Sequence, residues 1–174
     1  MAHDTLKQAN KQKRDEFYTR LKDIENELKH YKTQLKDKVI FCNCDDPFES
    51  NFFKYFAMNF KALGIKKLIT TCYDPSPIAN QEIQLSFFSK NKEIKHSNKN
   101  RNKIISKAYK IELDDIADID GSGNINILDT KEILLREKAK LDSGKKSKIL
   151  SYLDGDGDFR SAECVELLKR ADIV

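Results

Sequence analysis

The sequence predicts an α/β domain, and three observations carry that reading. Val39-Ile40-Phe41-Cys42 is a short apolar run of strand-forming residues, too short for a helix. Residues 51–63 follow as an amphipathic segment. Phe52, Phe53, Phe56, Phe60 and Leu63 share one helical face, and Gly64 stands where such a helix ends. Residues 67–73 are a second strand-like run. Strand, turn, helix, strand is a crossover unit, long enough to bring its two strands parallel.

The flanking elements follow in order. Over residues 11–36, Phe17, Leu21, Ile24, Leu28, Tyr31 and Leu35 recur at spacings of four and three. This predicts one helix with a single apolar stripe, packed on its own domain; a two-stranded coiled coil is the alternative. The first strand runs into Asn43-Cys44-Asp45-Asp46-Pro47, a polar turn closed by proline, and Ser50 suits an N-cap. After the second strand Pro75 and Pro77 break the chain. Residues 90–110 hold eight Lys or Arg against one Glu, which reads as a basic loop or insertion. Residues 83–88 form a short strand within this part, and residues 108–113 alternate as another. An acidic stretch covers 114–129, and a helix covers 131–141. Residues 149–153 are a short apolar segment, 154–158 an acidic glycine-rich turn, and Ser161 caps a helix over 162–170. Asp172-Ile173-Val174 begins to read as a strand. The chain thus divides into an N-terminal helix, 1–37, and an α/β domain, 38–174, carrying a basic and acidic insertion at about 75–145.

The chain has 174 residues and a net charge of +4, from 32 Lys or Arg and 28 Asp or Glu. No apolar run approaches the ~18–20 residues that span a bilayer. Residues 1–13 are polar and lack the apolar centre of a secretory signal. The four cysteines, Cys42, Cys44, Cys72 and Cys164, sit mostly in apolar contexts and read as reduced thiols rather than a disulfide framework. A cytoplasmic protein without a membrane partner is expected.

Five features could carry chemistry. Ligands of open parallel sheets bind outside the carboxyl ends of the strands, where Asp45 and Asp46 stand. A carboxylate there can accept from ribose hydroxyls or an ammonium group, or simply form the turn. No glycine lies between Ile40 and Leu63, so the dinucleotide fingerprint is missing. In the turn at 154–159 the three aspartates could bind a metal, Asp158 and Phe159 could present an acceptor and a stacking face to an adenine ring, or the turn could simply be exposed. Asp118, Asp120, Ser122, Gly123, Asn124, Ile125 and Asp129 fall at positions 1, 3, 5, 6, 7, 8 and 12 of a calcium loop. The final Asp reaches less far than the usual Glu, and a strand precedes the loop. Cys42 and Cys44 point to one face as a half metal site, with buried free thiols as the simpler reading. The basic stretch at 90–110 could follow a phosphate backbone.

The residues also carry a family resemblance. Asp15-Glu16-Phe17-Tyr18-Thr19, the helix after it, Phe41-Cys42-Asn43-Cys44-Asp45-Asp46-Pro47, Asn51-Phe52-Phe53-Lys54-Tyr55-Phe56, residues 63–69, Gly155-Asp156-Gly157-Asp158-Phe159-Arg160-Ser161 and residues 163–174 resemble the EcoRI-type adenine-specific DNA methyltransferases, in that order. The resemblance covers about two thirds of the chain and is weakest over 74–107. It implies an incomplete Rossmann-like methyltransferase sheet with flanking helices and an inserted loop region, which binds S-adenosylmethionine. It implies methyl transfer to N6 of an adenine flipped out of duplex DNA. By motif, Phe17, Tyr18 and Thr19 resemble the segment lining the methionine end of the cofactor. Asp45, Asp46 and Pro47 resemble the first-strand motif beside methionine and ribose. Asp158 and Phe159 resemble the residues at the cofactor's adenine, and Asp74 is a weaker candidate for the ribose hydroxyls.

In this family the strand beginning at Ala171 runs into an Asn-Pro-Pro-Phe motif that holds the target amino group. No Asn-Pro-Pro occurs in these 174 residues. The expectation is therefore the N-terminal, cofactor-side portion of such an enzyme, from a truncated gene product or a partial sequence, with no catalytic residue of its own and no methyl transfer by the isolated chain. Duplex DNA is the expected partner of the full-length enzyme and a monomer the expected state; the alternative reading is a calcium-binding interaction module centred on 118–129, with calcium at Asp118, Asp120, Ser122, Asn124 and Asp129.

Overall fold

The two runs richest in strand formers become adjacent strands of one sheet. A computed structural model describes residues 19–43, 45–47, 50–73 and 108–174. Strand β1 (Val39–Cys42) pairs in parallel with β2 (Lys67–Cys72), with Ile40 opposite Leu68. Strand β3 (Tyr109–Leu113) lies antiparallel on β2, and β4 (Leu150–Tyr152) antiparallel on β3, giving the order β1-β2-β3-β4. The other edge of β1 is occupied too. Ile173 bridges Ile40 in parallel, and the Phe41 amide donates to the Ile173 carbonyl at 2.9 Å. The chain thus leaves β1 toward β2 and later returns to β1's opposite side, which makes β1 a topological switch point.

Alternation along the strands sorts the core into layers. Ile40, Cys42 and Leu68 face the larger cluster, and Phe41 and Ile69 the opposite one. On the larger side pack α1 (Leu21–Leu28), α2 (Lys32–Leu35), α3 (Asn51–Met58), α4 (Phe60–Leu63) and α5 (Ile127–Asp142). Helix α6 (Ala162–Arg170) covers the other face through Leu167 and Leu168. Ser50 caps α3 by accepting from the Phe53 amide at 2.9 Å, and Ser161 caps α6 through Cys164. Gly64 adopts the left-handed conformation (φ +63°) that ends α4.

Three expectations need correction. The single helix over 51–63 breaks at Asn59, whose side-chain amide donates to the Tyr55 carbonyl at 2.9 Å and competes with the helical ladder. The described part of the first helix starts at Leu21 and passes through a 3-10 turn (Lys29–Tyr31) before α2. Its stripe packs inward: Ile24 and Leu35 are buried in the domain's own core, as the simpler reading expected. The stretch at about 75–145 was expected to be an insertion, yet its described part is integral to the fold. Residues 108–142 supply an inner strand and place Ile111, Leu113, Ile116 and Leu134 in the main core. The strand expected at 83–88 lies outside the described residues. No helix among the described residues is long and apolar enough to cross a membrane.

Candidate functional site

The turn after β1 is built by hydrogen bonds to β2. The Asp45 amide donates to the Thr71 carbonyl at 2.8 Å, and the Thr70 hydroxyl donates to the Asp45 carbonyl at 2.6 Å. The Ser50 hydroxyl donates to the Asp45 carboxylate while Ser50 also caps α3. Burial pushes the Asp45 carboxyl up to about 6; the Ser50 bond and Lys54 oppose this, and the charge of Asp46 adds to it. Asp46 is buried, at 5% exposure, as is Pro47. The Asp46 Oδ2 accepts the Cys72 thiol at 3.4 Å. Tyr109 lies opposite Cys72 in the neighbouring strand, close enough to feel the same carboxylate. Burial, then the Asp46 charge, push that phenol well above its ordinary range.

The second turn reaches the same place from the other end of the sequence. Gly157 has φ +79°, and a β-carbon there would lie 2.6 Å from the Cys72 carbonyl oxygen and 3.1 Å from the Ala108 β-carbon. Only a glycine lets this backbone approach the end of β2 so closely. The Cys164 thiol donates to the Gly157 carbonyl at 3.5 Å. The start of the turn is tied to α6, because Glu163 accepts from the amides of Asp154 (2.7 Å) and Gly155 (3.3 Å). Asp158 grips Arg160 with both oxygens: Nε meets Oδ1 at 2.9 Å and a terminal nitrogen meets Oδ2 at 2.8 Å. The Arg160 amide adds a third bond, to Oδ1 at 2.8 Å. These bonds to Arg160 hold the Asp158 carboxyl down at about 2. Phe159 is 52% exposed, with the Arg160 guanidinium 5.5 Å from its ring centre.

Thr19 is brought toward the first turn: its carbonyl accepts from the Asn51 side chain at 2.9 Å, next to Ser50. Phe17, Tyr18 and Asp74 lie outside the described residues. Of the sequence-predicted cofactor residues, Asp45, Asp46 and Pro47 therefore stand at the end of β1, Asp158 and Phe159 follow the Gly157 contact with β2, and Thr19 borders the start of α3. Sequence reasoning missed Cys72 and Tyr109, which sit opposite each other in the β2–β3 register. It also missed the role of Asn51. The alternation Tyr109, Ile111, Leu113 was the available signal, since it puts Tyr109 on the core-facing side.

The 118–129 loop gathers ligand atoms of Asp118, Asp120 and Asp129 within 4.8 Å of one another. Their oxygens are engaged by the loop itself. Asp129 accepts from the amides of Ile119 (2.8 Å), Asp120 (3.1 Å) and Asn126 (2.8 Å). Asp118 accepts from Ser122 and Gly123, and Asp120 from Ser122 and the Asn126 side chain. The Ser122 hydroxyl donates to the Asn124 carbonyl, the oxygen expected at the seventh position. Asn126 and Asp129 form a capping box that starts α5 four residues earlier than the sequence suggested. Cys42, Cys72 and Cys164 are buried as reduced thiols, and Cys44 lies outside the described residues.

A mixed four-stranded sheet with helices on both faces and an acidic turn at its switch point defines an α/β domain. The chain belongs to the EcoRI family of adenine-specific methyltransferases, whose family description matches residues 5–174. It is 41% identical over 170 residues to the type II methyltransferase M.EcoRI of Escherichia coli, covering 97% of this chain and 39% of that protein. It is 33% identical over 166 residues to M.MgeORF184P of Mycoplasma genitalium, 95% of this chain and 34% of the relative. Over 82 residues, 47% of this chain and 25% of the relative, it is 42% identical to M.MpnI of Mycoplasma pneumoniae. The chain thus spans well under half the length of these relatives. No solved structure gives a significant match.

Proposed function

We propose that this chain forms the S-adenosylmethionine-binding side of a DNA adenine-N6 methyltransferase. The observation that supports this best is the meeting of two distant turns on Cys72: Asp46 takes its thiol and Gly157 packs on its carbonyl. The residues fit the group. S-adenosylmethionine carries a sulfonium and an ammonium, and the end of β1 offers two adjacent aspartates beside the first amides of α3. Asp46, which accepts the Cys72 thiol, would face the ribose or methionine part, with Asp45 and Pro47 shaping the turn and Thr19 closing it from the N-terminal side. An ionised carboxylate has about four acceptor positions. Arg160 takes three at Asp158, which leaves one on Oδ2 for an adenine amino group. The exposed ring of Phe159 is a stacking face beside it.

When bound, the cofactor supplies the electrophilic methyl group. This chain's part is to bind and orient it. Residues 172–173 run parallel to β1, so a strand continuing them would carry an Asn-Pro-Pro-Phe to the sheet end where Asp45 and Asp46 stand. Duplex DNA is the proposed partner of the whole enzyme, and a monomer the proposed state, in line with the inward packing of Ile24 and Leu35.

The test is twofold. The 174-residue chain should bind S-adenosylmethionine weakly and methylate no adenine-containing duplex; methylation by the purified chain would sink the division of labour. Calcium gains no support from the relatives' names, and its expected ligands already close the loop on backbone amides. Calorimetry with calcium on wild type and Asp118→Ala separates the two: heat that disappears in the variant would reinstate the metal.

A further inference from the structure

Asp158 is tied down along its backbone. The residue before it, Gly157, lies against the Cys72 carbonyl. The Asp158 amide donates to the Asp156 carboxylate at 2.9 Å, and its carbonyl accepts from the Ser161 amide at 2.8 Å. The rotation of the carboxylate is left, and Arg160 sets it. The guanidinium forks onto both oxygens, at 2.9 and 2.8 Å, and the Arg160 amide adds a third bond, 2.8 Å to Oδ1. The Asp158 side chain is 15% exposed, whereas that of Arg160 is 76% exposed. The same guanidinium lies over the Phe159 ring, 5.5 Å from its centre. One arginine thus touches both residues that the adenine reading uses.

We infer that Arg160 is a positioning residue that sets the specificity of the proposed adenine subsite: its fork fixes the plane of the Asp158 carboxylate and leaves one acceptor position on Oδ2, which selects a purine with an amino group over one with a carbonyl. The inference rests on the adenine reading of Asp158 and Phe159 above and adds what orients the carboxylate. An isolated exposed ion pair contributes little to stability. This pair is bidentate and reinforced by a backbone amide, the geometry in which arginine differs most from lysine. Oδ1 already takes two N–H groups, so a ligand's donor is directed to Oδ2. A purine carbonyl there would set acceptor against acceptor and leave both unpaired. The bonds to Arg160 also favour the ionised carboxyl, which accepts and cannot donate. A base stacking on Phe159 would take the ring face that the guanidinium leaves.

The test compares two ligands on the full 174-residue chain. S-adenosylmethionine and S-inosylmethionine, which carries a carbonyl in place of the purine amino group, are titrated by NMR into wild type, Arg160→Ala and Arg160→Lys. Wild type should bind the adenosyl compound about tenfold more tightly than the inosyl compound. Arg160→Ala should weaken the adenosyl compound by about that factor and leave the inosyl compound nearly unchanged, so that discrimination falls to within about threefold. Arg160→Lys keeps the charge without the fork and should behave like Arg160→Ala. A merely structural arginine would lower both affinities together. The side chain stands largely in solvent, so both variants should keep the wild-type dispersion of amide signals. Undiminished discrimination in Arg160→Ala, full discrimination in Arg160→Lys, or equal losses for the two ligands would overturn the role of Arg160 and leave the cofactor site standing. Equal affinity of wild type for the two ligands would overturn the adenine reading of Asp158. No binding of either ligand by wild type would overturn the site itself.

Discussion

Gly157 lies against the carbonyl of Cys72, so close that a β-carbon at 157 would sit 2.6 Å from the oxygen. Cys72 ends β2, and its thiol meets Asp46 at the end of β1. One cysteine thus joins an acidic turn read early in the sequence to another read near its end. The contact explains the glycine at 157: it makes the approach, and the next residue, Asp158, is delivered beside it.

Gly157→Ala should therefore be costly. It combines positive φ with a backbone clash, and about 2–4 kcal/mol of stability should be lost. Gly155→Ala is the internal control. It has no positive φ, its added carbon would meet Ser161 at 3.7 Å, an ordinary contact, and a change within about 0.5 kcal/mol is expected. Urea denaturation of both variants checks the pair.

Asp45 gives a pH dependence of definite sign. Its carboxyl titrates near 6 in the fold against an ordinary 3.8, mainly through burial. The native state then holds the proton more tightly than the unfolded chain. Stability falls as pH rises through roughly 4 to 6, and the penalty, about 3 kcal/mol at most, is fully present above that window. Asp45→Asn should flatten this slope and raise stability at pH 7, since an amide oxygen still accepts from Ser50. Denaturation midpoints at pH 4, 5, 6 and 7 test it, and a variant less stable than wild type at pH 7 would refute it.

The capping box makes the 118–129 loop a structural device. Asn126→Ala should cost about 1 kcal/mol. Asp129→Ala should cost more, because it abandons the amides of Ile119, Asp120 and Asn126 together. The Asn126 amide and its companions hold the Asp129 carboxyl below its ordinary value. Its stabilising contribution is therefore present above the ordinary carboxylate range and lost as pH falls through the depressed one. Thermal denaturation at pH 7 and in acid reads both effects.

Local signals carried much of this structure. Ser50, Gly64 and Ser161 could be read as helix ends because each acts within a few residues of itself. The parallel pairing of β1 and β2 followed from the length of the crossover. The pairing of Leu68 with Leu113, and so the place of residues 108–142 in the core, depends on contacts that no local period records. The basic composition just before Tyr109 also disguised a core strand as part of a solvated insertion. At the site, Asp45, Asp46 and Asp158 stood out as turn residues. Which aspartate is buried, and that Cys72 meets it, depended on β1 and β2 coming together.

The central claim is that S-adenosylmethionine binds where the turns after β1 and before α6 meet. The most direct measurement is a map of backbone amide shifts as S-adenosylmethionine is added to the 174-residue chain. The account predicts perturbations gathered on Asn43, Asp45, Asp46, Cys72, Tyr73, Gly157, Asp158 and Phe159. Shifts confined to residues 118–129, or none at any concentration of cofactor, would contradict it.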